Sequence, residues 1–412
     1  MREFPRHDRV TRTVFWSSPE PRVAILASSY YTTPDSLDLV AYGTRMSRSD
    51  TADIVYLRRS GDNGRTWTDA GEWQTCEKTP AGMRRVHPRG GYVDPGTGRY
   101  LNVWTEGVLP TDSPLEGLRN WTLWYSVSDD GGRTERFREP IIHEGPGYDA
   151  QHPLPDVTVG KSCFMMGDLG QRPLMRSDGT ILIPVQAGHV DANGDYSSPG
   201  GGYTYTDCLL LMGRWQTDGR LAWRCSTRVM GDPARSTRGM IEPTLAELEG
   251  GRLLMVMRGS NDKHPEWPGW RWRALSGDGG ETWSQPEPWT YADGGSFFSP
   301  SSCSQLVPWK DGRIFWLGNI APENPCGNSP RYPFIIGEVD LRSGNLRRET
   351  VRRIDDCAVD ESPHLTLSNF YAREDRVTGE LLLHMTRLFA KDFRKDNTVD
   401  WTADAQLYRI GV

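Results

Sequence analysis

SGDGGETW, at residues 276–283, is the stretch from which the fold of this chain can be inferred. Its Ser and Asp side chains can bond to nearby backbone amides, and its glycines allow the positive φ angles of a tight turn. Close copies occur at residues 60–67 (SGDNGRTW) and 128–135 (SDDGGRTE), and a degraded copy occurs at residues 216–223 (QTDGRLAW). The pattern predicts repeated hairpin turns, with the terminal tryptophan packed at a junction between repeats.

The copies follow strand-like sequences at a spacing typical of a repeat. They begin at residues 60, 128, 216 and 276, so successive starts are 68, 88 and 60 residues apart. The runs before them, DIVYLRR, WTLWYSV, CLLLMG and WRWRAL, are typical of short strands. Repeats of this length predict one sheet-forming unit per copy, with insertions in loops.

The composition suits an all-β chain and argues against binding to nucleic acid or membrane. The 412 residues include 16 Trp, 44 Gly and 29 Pro, which favour many short strands joined by tight turns. A net charge of −6 argues against a general nucleic-acid binder, which needs a basic surface. The sequence contains no apolar run of the roughly 18 residues that a membrane helix requires.

The cysteines and the start of the chain carry little functional signal. The seven cysteines are scattered without CxxC spacing, which argues against zinc sites and a dense disulfide framework. The opening MREFPRHDRV has no apolar segment typical of a signal peptide. We therefore expect no metal, and either an intracellular protein or a secreted or periplasmic one whose leader has been removed.

The repeats resemble the Asp boxes, or BNR repeats, of the sialidase (neuraminidase) superfamily. This resemblance implies an all-β, six-bladed β-propeller of four-stranded antiparallel blades, forming a single domain over residues 1–412. It also implies that the boxes lie away from the catalytic face. Residues 140–215 are rich in Gly, Pro and polar groups, and they predict long functional loops within the propeller.

The resemblance further implies an exo-acting glycoside hydrolase that releases a terminal acidic sugar, sialic acid or a related nonulosonic acid, with retention of configuration. In this family three arginines hold the substrate carboxylate, because planar guanidinium groups bond it bidentately. A tyrosine assisted by a glutamate serves as the nucleophile, and an aspartate acts as acid and base. No cofactor is implied, and the expected partner is an acidic glycan or glycoconjugate.

Four residues of this chain stand where the family has its glutamate and its carboxylate-binding arginines. Glu242 and Arg258 take these places in RGMIEPTLAELEGGRLLMVMRGS, and Arg331 does so in NPCGNSPRYPFIIGEVD. The first family arginine normally lies in an Arg-Ile-Pro motif, which this sequence lacks. Arg22, in EPRVAIL, is the substitute.

The acid/base and the nucleophile are assigned by the same resemblance. LDLVAYGTRMSRSDTADIVYLRRS matches the family stretch that places an arginine shortly before the catalytic aspartate. Asp50 is the predicted acid/base, Asp53 is its close competitor, and Arg45 is a possible substrate-binding residue. Tyr371, in LSNFYAREDRVTGELLLHM near the last strands, is the predicted nucleophile.

Three further residues leave other functions open. His87, His152 and Tyr203 could line the cleft and select the substrate. Some sialidase-like propellers act on uronic-acid polysaccharides, as glycosidases or as lyases that use His or Tyr, and these residues leave room for that chemistry. A non-catalytic carbohydrate-binding propeller is a third hypothesis, because a fold does not guarantee an activity.

Overall fold

The structure is a computed structural model that describes residues 4–391 and 400–412. Six antiparallel sheets form the blades of a propeller, which confirms the six-bladed β-propeller predicted from the repeats. Within the described residues, helical structure is limited to single turns: η1 (Pro114–Glu116), α1 (Gly117–Asn120), η2 (Glu249–Gly251) and η3 (Arg348–Thr350).

The first half of the chain forms blades 1 to 3, numbered in chain order. Blade 1 contains β2 (Ala24–Tyr31), β3 (Leu39–Met46), β4 (Ile54–Ser60) and β5 (Thr68–Gln74). Blade 2 contains β6 (Cys76–Thr79), β7 (Gly82–Val93), β8 (Tyr100–Leu109), β9 (Thr122–Ser128) and β10 (Phe137–Pro140). Blade 3 contains β11 (Phe164–Met165), β12 (Leu174–Met175), β13 (Ile181–Gly188), β14 (Thr206–Trp215) and β15 (Leu221–Cys225).

The second half forms blades 4 to 6 and returns to the start of the chain. Blade 4 contains β16 (Ile241–Glu247), β17 (Leu253–Arg258), β18 (Arg271–Ser276) and β19 (Glu287–Pro288). Blade 5 contains β20 (Gln305–Pro308), β21 (Ile314–Asn319), β22 (Phe334–Glu338) and β23 (Arg352–Asp355). Blade 6 contains β24 (Thr366–Glu374), β25 (Leu381–Leu388), β26 (Ala405–Ile410) and β1 (Val10–Trp16).

Blade 6 combines strands from both ends of the chain. Strand β1 lies antiparallel beside β26, with Val10 opposite Ile410 and Val14 opposite Gln406. This pairing joins the first part of the chain to the last blade, so that the ring of blades is closed by backbone hydrogen bonds.

Blade 3 departs from a regular four-stranded sheet at the propeller axis. Two short strands, β11 and β12, pair with the same strand β13, where Met165 faces Gln186 and Leu174 faces Leu182. Residues 166–173 leave the sheet between these two pairings. This segment lies in the middle of the fold and carries Asp168, which is buried.

The Asp boxes have the turn structure that their sequences predict. Asp278 accepts a hydrogen bond from the Ser276 hydroxyl at 2.8 Å and another from the Thr282 backbone N–H at 3.0 Å. The same bonds form around Asp62 and Asp130 in the other two complete copies. Each box therefore closes a hairpin between the last two strands of its blade.

The boxes lie at the end of the propeller opposite to the predicted site residues. On β17 and β18, Arg258 pairs with Arg271 at one end, while Leu253 pairs with Ser276 at the other. Five residues of strand separate the two pairings, which corresponds to about 17 Å. The box that begins at Ser276 is thus remote from Arg258.

The Asp boxes make a defined contribution to acid stability. Hydrogen bonds from Thr66 lower the pKa of Asp62 to about 2, and those from Thr282 do the same for Asp278. An unfolded aspartate titrates near a pKa of about 3.9. The stabilisation is therefore complete above about pH 4 and is lost as the pH falls towards about 2. We expect the melting temperature of wild type to fall more steeply across this window than that of Asp62→Asn/Asp278→Asn.

Thermal unfolding followed by circular dichroism over a series of acid pH values measures this difference. Asp360→Asn, at an exposed position outside the boxes, serves as the control. Parallel curves for wild type and the double variant would contradict the prediction.

Candidate active site

A cleft of about 410 Å³ lies at the end of the propeller where the innermost strands β16 and β24 begin. Its polar lining consists of Ser49, Asp50, His87, Arg89, Gln186, Tyr203, Thr204, Arg238, Glu242, Arg258, Asn328, Ser329, Arg331, Thr366 and Asn369. Its apolar lining consists of Met46, Pro114, Leu115, Leu118, Trp121, Met165, Ile241, Leu388, Phe389 and Trp401. Residues from all six blades or their connecting loops therefore meet in one cleft.

Glu242 occupies a specialised backbone position at the start of β16. Its φ is +47°, and the register of β16 against β17 shifts between Ile241 and Thr244. Its backbone N–H donates to Oε1 of Gln186 at 2.8 Å, and a Cβ on Gly167 would lie 2.9 Å from its Cγ. A positive φ at a residue with a side chain costs of order 1–3 kcal/mol, so these neighbours must hold Glu242 in place.

Glu242 forms a buried ion pair with Arg258. Nη1 of Arg258 donates to Oε2 of Glu242 at 2.6 Å, and the two side chains are 6% and 12% exposed. Burial acts to raise the pKa of Glu242, but the attraction of Arg258 outweighs it, and the pKa lies below its ordinary value. Although burial opposes it, Glu242 likewise holds the pKa of Arg258 above its ordinary value. Both groups are therefore charged at neutral pH.

The other bonds of Arg258 fix the plane of its guanidinium group. Its Nε donates to the Ser301 hydroxyl at 2.8 Å, and its Nη2 donates to Oδ1 of Asn328 at 3.1 Å. A guanidinium group has five N–H donors, and these bonds together with the ion pair use three. Two donors of Arg258 remain for a ligand.

Arg238 and Arg331 also line the cleft, and each has an unpaired donor. Nη1 of Arg238 and Nε of Arg331 are buried and have no hydrogen-bond partner among the described residues. Burial, followed by repulsion from Arg258, lowers the pKa of both, that of Arg238 to about 10. Because an unpaired buried donor is costly, an anion bound between these groups would stabilise them.

A second group of polar residues lines another part of the cleft. Asp50 lies in the exposed loop between β3 and β4 and accepts a hydrogen bond from the Ser49 hydroxyl at 2.8 Å. His87 and Arg89 extend from β7, and Nε of Arg89 donates to the Met166 carbonyl at 2.6 Å. His87 is 8% exposed, its Nε2 has no described partner, and burial, together with Arg89, lowers its pKa to about 3. His87 is thus neutral at neutral pH.

Below the cleft, a cavity of about 80 Å³ shares Asp50, Arg89 and Asn369 with it and extends to Asp168. Asp168 belongs to the segment that leaves blade 3 between β11 and β12. Burial, followed by repulsion from Glu242, raises its pKa to about 7. The floor of the site therefore holds a carboxyl group that is protonated more readily than an ordinary aspartate.

The charges of the lining favour an anionic ligand. Four arginines line the cleft in the described residues, namely Arg89, Arg238, Arg258 and Arg331, against the carboxylates of Asp50 and Glu242. The cleft is positive although the whole chain has a net charge of −6. Such a concentration of cations inside a negatively charged protein indicates a site for an acidic molecule.

The structure brings six of the predicted site residues together. Asp50, His87, Tyr203, Glu242, Arg258 and Arg331 all line the cleft. Their catalytic and binding roles stay predictions, but their common location is what those roles require. Tyr203 and Thr204 also place the end of the long loop 189–205 at the cleft.

Four other predicted residues do not line the cleft. Arg22 is exposed, and its backbone N–H donates to the Thr402 hydroxyl at 2.7 Å. Arg45 and Asp53 are paired with each other at 3.4 Å, so each satisfies the other outside the cleft. His152 lies in the connection between blades 2 and 3, where its Nδ1 contacts the Val157 carbonyl at 2.7 Å.

Tyr371 lies within the core beside the axis rather than in the cleft lining. Its ring is 4.5 Å from that of Tyr30, it is 7% exposed, and burial raises its pKa. On the same strand, β24, the residues that line the cleft are Thr366 and Asn369, and Asn369 has φ of +55° at a bulge. Tyr203 is the tyrosine that lines the cleft in the described residues.

Sequence reasoning missed Arg89, Arg238 and Asn369. Arg238 lies four residues before Glu242 in the same motif, and Arg89 lies two residues after His87. A search for every arginine next to a predicted site residue would have found both. The bulge that turns Asn369 towards the cleft has no comparable sequence signal.

The described residues provide neither an obvious metal site nor a membrane-spanning helix. No group of three or more His, Cys, Asp or Glu side chains among them is placed to hold a metal ion. No helix in residues 4–391 and 400–412 has the length and apolarity to cross a membrane.

Comparison with protein families connects the geometry to known proteins. The BNR repeat-like domain matches residues 143–350, which is half of the chain. Among curated protein sequences, none matches this chain significantly. The matching region includes the fourth blade and the loop that carries Tyr203.

Solved structures share the fold over nearly the whole chain. A protein of unknown function from Dyadobacter fermentans is 13% identical, with a TM-score of 0.60 over 98% of this chain and 99% of that one. NanB sialidase from Streptococcus pneumoniae is 10% identical, with a TM-score of 0.58 over 98% of this chain and 70% of that one.

A third structure is the covalent intermediate of Trypanosoma rangeli sialidase with 2,3-difluorosialic acid. It is 12% identical, with a TM-score of 0.56 over 97% of this chain and 59% of that one, so this chain spans less than two thirds of its length. At these identities the likeness shows the fold alone.

The ion pair at the centre of the cleft can be tested by stability measurements. Glu242→Gln is expected to lower the free energy of unfolding by about 3–5 kcal/mol, because the charge of Arg258 then stays buried without its counter-ion. Glu242→Gln/Arg258→Met should recover much of this loss, since both charges are removed. Urea unfolding of the single and double variants measures the coupling.

The exposed pair of Asp293 and Arg348 provides the control, and Asp293→Asn should leave the midpoint of unfolding almost unchanged. Equal destabilisation by Glu242→Gln and by the double variant would show that the pair is not coupled.

Proposed function

Because this chain belongs to the BNR repeat-like domain family and has the six-bladed propeller fold of sialidases, we propose that it is an exo-acting glycoside hydrolase. It releases a terminal acidic sugar, sialic acid or a related nonulosonic acid, from a glycan or glycoconjugate. The observation that carries the proposal is the cluster of buried arginines around Glu242.

Arg238, Arg258 and Arg331 line the same cleft as Glu242, and the attraction of their charges lowers the pKa of this carboxylate. One carboxylate cannot use all of their donors, and two of those donors have no partner in the described residues. A second carboxylate, brought by the substrate, would accept these hydrogen bonds. A sugar acid with its carboxylate on the anomeric carbon would then be bound next to Glu242.

Asp50 and Glu242 differ in ways that suit different roles. Asp50 is exposed at the rim, where it can protonate the leaving oxygen of the glycoside and later remove a proton from the attacking water. Glu242 is ionised and can therefore accept the proton of a tyrosine hydroxyl, although its ion pair with Arg258 lowers its pKa and weakens it as a base. A phenol needs such a base, because its ordinary pKa is near 10.

Retention of configuration requires a nucleophile, and two tyrosines are candidates. Tyr371 was predicted from its place near the last strands, but its burial raises its pKa and its ring packs on Tyr30. Tyr203 is about half exposed and lines the cleft beside Arg238. Position in the cleft favours Tyr203, whereas the family pattern favours Tyr371.

A hydrolysis assay tests the proposal. Wild type should cleave an aryl glycoside of sialic acid, and Arg331→Ala should lower kcat/KM by about tenfold to a hundredfold, because the substrate carboxylate loses charged hydrogen bonds. Arg331→Lys should recover little, since an ammonium group cannot bond bidentately.

Arg347→Ala is the matched control, because Arg347 is an exposed arginine of blade 5. An unchanged kcat/KM for Arg331→Ala would remove Arg331 from the site. Failure of wild type to cleave any nonulosonic-acid glycoside would contradict the proposed function itself.

Covalent trapping identifies the nucleophile. A 2,3-difluorosialic acid derivative should leave a stable glycosyl adduct on one tyrosine, because fluorine slows the second step of a retaining reaction. Peptide mass spectrometry then distinguishes the peptide of Tyr371 from that of Tyr203, and Tyr→Phe at the labelled position should abolish the adduct. Hydrolysis without an adduct, and with inversion at the anomeric carbon, would contradict the glycosyl-tyrosine mechanism.

A second candidate function is action on a uronic-acid polysaccharide by β-elimination. It is favoured by His87, whose unpartnered Nε2 lies in the same cleft as Tyr203. The histidine would remove the proton next to the carboxylate, and the tyrosine would protonate the leaving oxygen. Only elimination gives an unsaturated product, so ultraviolet absorbance of the product separates this reaction from hydrolysis. The low pKa of His87 makes it a weak base and favours the hydrolase.

A further inference from the structure

We infer that Asp112 is a positioning residue that fixes the loop of Asp50 against the neighbouring wall of the cleft. Residues 47–53, between β3 and β4 of blade 1, form what we call the acid loop. Residues 110–116, which follow β8 of blade 2, form what we call the wall loop. The inference rests on the proposed function in taking Asp50 as the acid/base, since only then does the position of the acid loop govern a chemical step.

Asp112 connects the two loops through two arginines. Its carboxylate accepts a hydrogen bond from Nη2 of Arg48, which belongs to the acid loop and lies two residues before Asp50. It also accepts two hydrogen bonds from Arg85 of β7, one from Nε and one from Nη2 at 2.8 Å. Two parallel bonds to one guanidinium group fix its orientation as well as its distance. Asp112 thus joins a cation of blade 1 to a cation of blade 2.

Arg85 extends this connection to the backbone of the acid loop. It is 3% exposed, and its Nη1 donates to the Ala52 carbonyl at 3.1 Å. The same carbonyl accepts a hydrogen bond from the Thr75 hydroxyl at 2.7 Å. Oδ1 of Asp53 lies 3.6 Å from Nη1 of Arg85, and its Oδ2 accepts a hydrogen bond from the Ser47 hydroxyl at 3.0 Å. The two ends of the acid loop are therefore tied to each other and to Arg85.

The tip of the acid loop requires this support. Asp50 has φ of +56°, which is a strained conformation for a residue with a side chain. A hydrogen bond from the Thr51 hydroxyl to the Arg48 carbonyl, at 3.1 Å, spans the turn. Asp50 is exposed and lines the cleft, so the position of its carboxylate depends on the backbone that carries it.

Asp112 is also fixed within the wall loop. It has φ of +61°, and its backbone N–H donates to the Leu109 carbonyl at the end of β8, at 3.3 Å. Pro114 and Leu115 follow in the same loop and line the cleft. The position of Asp50 relative to this side of the cleft is therefore set through Asp112.

Asp112 stays charged under the conditions in which an acid/base aspartate works. Hydrogen bonds from Arg85 and then from Arg48 lower its pKa to about 2. An unfolded aspartate has a pKa of about 3.9, so the contribution of this ion pair is complete above about pH 4 and is lost only as the pH falls towards about 2. A titration seen at higher pH would therefore belong to another group.

A comparison of two leaving groups tests the inference, because a general acid matters most when the departing oxygen is strongly basic. Asp112→Ala should lower kcat/KM about tenfold to a hundredfold on an alkyl glycoside of sialic acid, since a displaced acid loses much of its effect. On the 4-nitrophenyl glycoside, whose leaving group needs little protonation, the loss should be less than about threefold. A role in folding alone would lower both values equally.

A double-variant cycle shows whether Asp112 acts through Asp50. In the Asp50→Ala background, Asp112→Ala should cause no further loss on the alkyl glycoside, because the acid is already absent. Additive losses would overturn the inference.

Two further variants guard against a trivial result. Asp112→Ala leaves the buried Arg85 without its counter-ion, so its folding is verified by its melting temperature. Arg48→Met breaks the same connection at a side chain that is 47% exposed, and it should show a smaller loss on the alkyl glycoside alone. Asp69→Ala, which breaks an exposed pair with Arg58 in the same blade, should change neither value.

Hydrogen exchange separates this inference from the proposed function. In Asp112→Ala the backbone amides of the acid loop should exchange faster than in wild type, while those of Asp69→Ala should not. Unchanged exchange in the acid loop, or equal losses on the two glycosides, would overturn the inference. Faster exchange in a protein whose wild type cleaves no acidic glycoside would support the connection between the loops and contradict the proposed hydrolase.

Discussion

The buried ion pair of Glu242 and Arg258 is the interaction on which the cleft depends. It joins Glu242, the second residue of β16, to Arg258, the last residue of β17, at a point where the register of the two strands shifts. Removing two charges from water is unfavourable unless they are paired and hydrogen-bonded further, and Ser301 and Asn328 supply such bonds to Arg258, while Gln186 holds the backbone N–H of Glu242. The hydrogen bonds around the ion pair thus offset the cost of burying its two charges. The guanidinium N–H groups that these bonds do not use could bind a ligand.

The fold could be predicted from the sequence because its signals are local. An Asp box forms its own hydrogen bonds within about eight residues, as Ser276, Asp278 and Thr282 show, so its meaning does not depend on the rest of the chain. The pairing of Glu242 with Arg258 was also accessible, since both lie on adjacent strands of one hairpin. These two features therefore appear in the structure as the sequence indicates.

The remaining site residues depend on contacts between distant blades, which a single sequence does not reveal. Arg22 has the right neighbours in the chain, but its backbone has φ of +67° and its side chain is exposed. Tyr371 is two residues from Asn369, and one bulge decides which of them reaches the cleft. Arg238 depends on a loop of another blade, through Gly202 and Thr204. Sequence spacing predicts the strand on which a residue lies, but bulges and loop packing determine whether its side chain reaches the cleft.

The pairing of β1 with β26 has a consequence for how this cleft comes into existence. Thr366 and Asn369 line the cleft from β24 of blade 6, and another strand of this blade, β1, is synthesised long before the other three. During synthesis the backbone N–H and C=O groups of β1 that pair with β26 therefore stay without this partner until β26 has left the ribosome, after the intervening blades have been made. The contact is among the longest in sequence that the chain can form, and such contacts are slow to close. The cleft is consequently a late product of folding.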